Sequence, residues 1–186
     1  MSNSFASALW SVNALFAYFQ AGASGVNLHT WDGAFYSPVE FRTAGGRRLA
    51  VVHPLYYGML FFARATAQGA QLLPAVSRPR RHVIRAWATR NIGGTVRLVI
   101  INTSQDRRME ARVAIPGLTA AGSLERLRAP ALDARDGVTL AGKSYGRASF
   151  DGLLRGRHVS EIVSLRRNRY AFVVPAASAT LLTVRP

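Results

Sequence analysis

The chain has 186 residues, 49% of them apolar, and a formal charge of +15 that comes from 23 arginines and a single lysine. That length can bury a sizeable core as one domain or two small ones, and the apolar content excludes a disordered or low-complexity chain. The absence of cysteine excludes a disulfide framework, a thiolate nucleophile and thiolate-rich metal sites.

A field of this sign attracts polyanions, whether nucleic acid, acidic polysaccharide or anionic membrane. The arginines are dispersed, however, over 42–48, 78–90, 107–112, 126–135 and 155–169, with long apolar segments between them. Nothing matches a recognition helix or a stacking-aromatic RNA signature, so a specific nucleic-acid site is not expected.

Residues 1–31 contain no charged side chain. The stretch FASALWSVNALFAYFQA lacks the basic start of a signal peptide, and Ser7, Ser11, Asn13 and Gln20 break the apolar run that a membrane span needs. It reads as a buried helix, capped by Ser4 and stopped at Gly22. Leu9, Val12, Phe16 and Phe19 form one apolar stripe, and Trp10, Ala14, Ala17 and Ala21 form a second, so both sides are expected to be covered. Residues 24–28, SGVNL, are too short for a helix and read as a strand bounded by Gly22 and Asp32-Gly33. A strand returning straight after a helix implies a parallel crossover and an earlier partner strand. The chain holds no such strand, so the partner is expected either from another chain or from a longer protein.

Residues 38–43 and 47–52 read as a hairpin around Ala44-Gly45-Gly46, with Val39, Phe41, Leu49 and Val51 alternating. Pro54 suits the first turn of a second helix, whose expected buried stripe is Leu55, Met59, Phe62 and Ala63 and whose stop is Gly69. Tyr56 and Tyr57 read as packing residues. Strand, polar loop and covering helix is the repeat unit of a β/α barrel, whose site groups sit on the loops after the strands.

From residue 72 the period changes to two. Strands are predicted over 83–89, 96–102, 109–115, 124–128, 170–174 and 179–184, with 96–101 apolar on both faces and therefore central. Short strands at this spacing predict an antiparallel β-sandwich, with 143–160 as a long loop. The expected division is thus 1–71 and 72–186, an α/β unit followed by an all-β domain.

The runs FASALW, GVNLHT, FYSPV, HPLYYGMLFFARA with LLP after it, LERLRAPALDARDGVTLAGKS and PAASATLLTV, in this order, resemble the carboxyl-terminal part of glycoside hydrolase family 79, the family of β-glucuronidases and heparanases. The resemblance implies the last helix-strand-helix unit of a (β/α)8 barrel followed by the family's β-sandwich domain. It also implies a retaining glycosidase with two glutamates, an acid/base after an earlier barrel strand and a nucleophile shortly before the segment matching Ser2 to Trp10, so that neither lies in this chain. Retaining chemistry needs two carboxyl groups about 5 Å apart. Only Asp32 and Glu40 of the nine acidic residues fall near the barrel-like loops, and Asp32 beside Gly33 reads as a turn residue.

The resemblance places Tyr36 where a family tyrosine donates its hydroxyl to the substrate's uronic-acid carboxylate. It gives the backbone N–H of Ser37 an assisting role and puts His29 at the level of the pocket. Trp31, where the family commonly has a small residue, would stack on a sugar face or narrow the cleft. His53, His82 and His158 have no metal-ligand spacing, so no metal or other cofactor is proposed. The expected partners are a glucuronide or acidic polysaccharide and the missing amino-terminal barrel portion. Two alternatives stay open: a noncatalytic β-sandwich module associated with carbohydrate, and a basic polyanion-binding protein.

Overall fold

The computed structural model describes residues 3–31, 33–34, 36–75 and 84–186. Asp32, His82, the start of the strand predicted at 83 and the arginines between 78 and 81 lie outside the described residues. Helix α1 spans Phe5–Gln20 and α2 spans Pro54–Ala65. Twelve strands are found among the described residues, in chain order: β1 Val39–Ala44, β2 Arg47–Val52, β3 Gln71–Leu73, β4 Ile84–Arg90, β5 Val96–Asn102, β6 Met109–Val113, β7 Gly122–Arg128, β8 Thr139–Leu140, β9 Glu161–Val163, β10 Leu165–Arg166, β11 Arg169–Val174 and β12 Ser178–Val184.

All the strand pairs are antiparallel. A large sheet has the order β3-β4-β5-β12-β7-β8, with β9 also on β7, and a small sheet has the order β10-β11-β6. The two enclose one core and the helices cover the far side of the large sheet, which makes three layers. Period-two alternation explains how. In β5, Val99 and Ile101 join the helix-side core while Leu98 and Ile100 join the core against the small sheet; in β12, Ala179 and Leu181 face the first and Leu182 and Val184 the second. A strand buried on both faces carries a mostly apolar run, and the polar residues buried in these two, Asn102, Ser178 and Thr180, are hydrogen-bonded. That is why β5 and β12 lie side by side at the centre, in register from Val96↔Val184 to Asn102↔Ser178.

The helices dock through Phe5, Leu9, Val12 and Phe16 of α1 and Tyr57, Phe61 and Ala65 of α2, each essentially inaccessible to water. Phe16 stacks on Trp87 at 5.4 Å, and the Trp87 indole N–H donates to Asn13 Oδ1 at 3.1 Å. The end of α1 is a Schellman turn: Gly22, at φ 87°, donates to Phe19 O, and Ala23 donates to Tyr18 O. Helices and large sheet therefore share one continuous core.

Four expectations need correction. Residues 24–28 form no strand and pair with none among the described residues, and nearly all of them are exposed; a strand forms only when a second one satisfies its N–H and C=O groups. The second stripe of α1 is not covered, since Trp10 is 59% exposed and Ala17 and Ala21 are also exposed. In α2 the buried face is Leu55, Tyr57, Gly58, Phe61 and Ala65, one position round from the expected stripe, because α1 packs against Gly58. That helix also ends at Ala65, before Gly69, with Thr66 as its cap.

One half-buried arginine ties strands of the two sheets together. Arg126 on β7 donates to Val173 O at 2.8 Å, to Thr180 Oγ1 at 3.0 Å and through both arms of its fork to Glu161 on β9. The hydrogen bonds and charge of Arg126 hold the Glu161 carboxyl below the usual glutamate range. A lowered folded-state pKa contributes stability above the unfolded value, and this is lost as pH falls through the folded value. Below about pH 4 the wild-type melting temperature should therefore drop more steeply than that of Glu161→Gln; parallel melting curves for the two proteins from pH 7 to 3 would contradict this role.

Candidate functional site

The candidate site residues lie on the loop between α1 and β1. Its turns are local: Ala34 N–H donates to Trp31 O at 3.3 Å, and Ser37 N–H to Ala34 O at 2.9 Å. Ser37 is buried, and its hydroxyl bridges the loop, donating to Trp31 O at 2.9 Å and accepting from Trp31 N–H at 3.2 Å. The Ser37 N–H expected to assist a carboxylate is thus bonded within the loop. In this structure Ser37 clamps the loop's two limbs.

The clamp brings three rings together. His29 and Trp31 meet edge to face at 4.1 Å, Trp31 and Tyr36 meet edge to face at 5.6 Å, and His29 and Tyr36 are 6.5 Å apart. His29 and Trp31 are exposed and Tyr36 is half-buried. Tyr36, Ser37 and His29, singled out in the sequence, are therefore brought into one cluster, with Trp31 at its centre. Such a cluster offers a phenol and an imidazole for hydrogen bonding beside an exposed indole face.

Glu40 lies just beyond, on β1. Its carboxylate takes a two-armed ion pair from Arg42 at 3.0 and 3.2 Å, and the Arg42 hydrogen bond, with a smaller contribution from His53, holds its pKa below the ordinary value. His53 Nε2 lies 3.5 Å from Glu40 Oε2, near enough for attraction when protonated but not aligned as a hydrogen bond. His53 is the buried N-cap of α2, a structural position. His158 reaches Glu125 at 3.4 Å beside Arg64, on the other side of α2.

The carboxyls that depart from their ordinary pKa all depart downward: Glu40 through Arg42, Asp106 through the Ser104 hydroxyl, Asp151 through the Leu153 N–H and Glu161 through Arg126. A glycosidase acid needs the opposite shift. Among the described residues there is also no group of three or more His, Cys, Asp or Glu able to hold a metal ion.

Sequence reasoning missed a second aromatic group, formed by Tyr56, Tyr57 and Tyr145. Tyr57 OH accepts the Tyr145 N–H at 2.7 Å, and the Tyr145 ring meets Tyr56 at 5.8 Å and Tyr57 at 5.4 Å. Burial raises the Tyr57 pKa. The adjacent tyrosines were visible in the sequence, but their partner is 88 residues away and sits in the segment read as loop.

The fold is shared with solved carbohydrate-active enzymes. A 4-O-α-L-rhamnosyl-β-D-glucuronidase from Fusarium oxysporum 12S is 20% identical, with a TM-score of 0.71, over 98% of this chain and 39% of that one. The GH51 arabinofuranosidase from Xanthomonas axonopodis pv. citri is 17% identical, with a TM-score of 0.68, over 98% of this chain and 36% of that one. A GH30 endoxylanase from Clostridium papyrosolvens C71 is 12% identical, with a TM-score of 0.63, over 99% and 39% respectively. No match was found among curated proteins. The chain thus spans well under half of these structures, and its β-sandwich is a glycoside hydrolase-related domain. Residues 86–181 match the glycosyl hydrolase family 79 C-terminal beta domain, and the chain belongs to that family.

Proposed function

We propose that this chain is the carboxyl-terminal part of a retaining, uronate-specific glycoside hydrolase of the β-glucuronidase type. Residues 1–71 are the end of its (β/α)8 barrel and 72–186 its β-sandwich domain. The catalytic acid/base and nucleophile come from the remaining barrel, and the loop of Tyr36, Ser37 and His29 contributes to the substrate side of the site.

The observation that carries this reading is the uncovered surface of the first 31 residues. Trp10 and Tyr18 of α1, together with Val26 and Trp31 of the following segment, are exposed large apolar side chains, and the 24–28 backbone between them has no strand partner among the described residues. Exposed apolar surface beside unpaired backbone is what remains when neighbouring barrel strands and helices are not there to cover it. The family match, which lies within the β part, favours a second reading as a noncatalytic carbohydrate-associated module.

The test is hydrolysis of an aryl β-glucuronide by the chain alone and by the chain joined to the coding sequence immediately upstream. The expected result is activity only in the joined protein, whose upstream part supplies the two glutamates. A noncoding upstream sequence, with a folded and inactive chain, selects the module reading. The chain alone is expected to self-associate through the Trp10 and Trp31 surface. Sedimentation of wild type beside Trp10→Ser/Trp31→Ser checks this, and a monomeric wild type would contradict it.

A further inference from the structure

Hairpin β1–β2 turns at Gly45 and Gly46, whose φ values of 57° and 72° fit the twist of the strands and favour glycine. Residues 149–153 run beside its second strand, because Ala50 and Ser149 exchange both backbone hydrogen bonds at 2.8 Å. Within that segment the Ser149 hydroxyl accepts the Gly152 N–H at 2.9 Å, and Asp151 Oδ1 accepts the Leu153 N–H at 3.1 Å. Hairpin and segment are thus two preformed walls, and between them lies a cleft of about 370 Å³ lined by Phe41, Arg48, Tyr56, Tyr145 and Phe150 among others.

Both walls expose large apolar side chains: Phe41 is 46%, Phe150 60% and Leu153 60% exposed. Cations stand directly on two of them, the Arg48 guanidinium 4.5 Å above the Phe41 ring and the Arg47 guanidinium 4.8 Å above the Phe150 ring. The carboxylates nearby are each held by an arginine of their own, Glu40 by Arg42 and Asp151 by Arg155. Arg47 and Arg48 form no ion pair with a described residue, so this face carries an uncompensated positive charge. The exposed Trp10 surface differs in kind, since residues 1–31 contain no charged side chain. An uncharged apolar surface suits an apolar protein neighbour, whereas apolar side chains among guanidinium groups suit a boundary that is apolar on one side and anionic on the other.

We propose that this face docks on the surface of an anionic lipid bilayer. Phe41, Phe150 and Leu153 enter the headgroup region, while Arg47 and Arg48 meet lipid phosphates with the two-armed edge that stacking leaves available. Because each cation rides on a ring, apolar burial and charge pairing occur at one depth, and two individually weak signals add. The walls are already formed, so little ordering opposes docking. A soluble polyanion would match the guanidinium groups but leave Leu153 in water, and a second copy would set like charge against like charge. Docking does not depend on the uronide reading and is measurable without catalysis.

The experiment is flotation of the full chain with vesicles of phosphatidylcholine alone and of phosphatidylcholine mixed with phosphatidylglycerol, with thermal melts to verify folding. Two variants alter the face, Phe150→Ser/Leu153→Ser and Arg47→Gln/Arg48→Gln. Three serve as controls: Ile92→Ser/Ile162→Ser and Arg108→Gln/Arg166→Gln, which change exposed apolar and basic residues elsewhere, and Trp10→Ser/Trp31→Ser. Wild type is expected to float with the mixed vesicles and not with phosphatidylcholine alone. Each variant of the face should lose about tenfold or more of that partition, and each control less than about threefold. Loss in only one of the two face variants, equal losses in the controls, equal binding to neutral vesicles or no binding by wild type would each overturn the proposal. So would a loss confined to Trp10→Ser/Trp31→Ser, which moves the contact to the helix surface. A Phe150→Ser/Leu153→Ser chain that sediments as a smaller species than wild type without lipid would give the face to a second copy and overturn it as well.

Discussion

Gly58→Ala should destabilise the fold by about 1–3 kcal/mol, although alanine is the better helix former by about 1 kcal/mol. A Cβ at Gly58 would stand 2.1 Å from Ser11 Oγ and 2.3 Å from Ala8 O. The serine could rotate away; the carbonyl belongs to the backbone of α1 and cannot. Ser11 Oγ also donates to Leu55 O of α2 at 3.5 Å, so the two helices already meet closely at this point. Accommodating the methyl means separating α1 from α2, and both helices share one core with Val99, Ile101 and Leu181 of the large sheet. The loss should therefore appear in global thermal unfolding. Gly25→Ala is the control, since nothing lies within 4 Å of the added carbon and its φ is not positive. A Gly58→Ala protein that melts at or above wild type would show that the helix contact is not tight.

Tyr36→Phe in the joined hydrolase should lower kcat/KM for an aryl β-glucuronide roughly ten- to a hundredfold, the worth of one hydrogen bond to a charged acceptor. The corresponding neutral β-glucoside should be turned over equally by both proteins, because it has no carboxylate for the phenol to recognise. Phenylalanine retains the ring that packs edge to face on Trp31, so the loop geometry should persist. Equal losses on the two substrates would assign Tyr36 to loop structure rather than uronate recognition. Ser37→Ala tests the clamp separately. Its hydroxyl both donates to and accepts from Trp31, so its removal should displace Trp31 and weaken binding of both substrates.

The site was legible in part. Tyr36, Ser37 and His29 were singled out by resemblance, and the turn-rich sequence around them was enough to mark a loop. What the sequence did not contain was Ser37's role as a clamp, because a bridge to residue 31 depends on how the loop closes. The hairpin cleft was out of reach for a similar reason. Of the residues lining the cleft beside hairpin β1–β2, Phe41 and Arg48 are local to the hairpin, but Tyr145 and Phe150 arrive from a segment without periodicity, held there by the Ala50 and Ser149 backbone pairing.

The strands β4, β5, β6, β7, β11 and β12 were legible because a half-buried or doubly buried strand writes its environment into alternation, and the hairpin because two glycines supply the turn's positive φ. The short β3, β8, β9 and β10 were not, since two or three residues form a strand only where a neighbour offers free N–H and C=O groups. Residues 24–28 show the same dependence in reverse: an apolar, strand-like sequence with no partner pairs with nothing among the described residues. By itself the sequence determined which segments are helix or long strand and that β5 is buried on both faces, because those properties follow from local periodicity. Only the tertiary structure decided that α1 and α2 cover the large sheet, which face of α1 stays exposed and that Arg126 pairs with Glu161, because each depends on contacts between residues far apart in the chain.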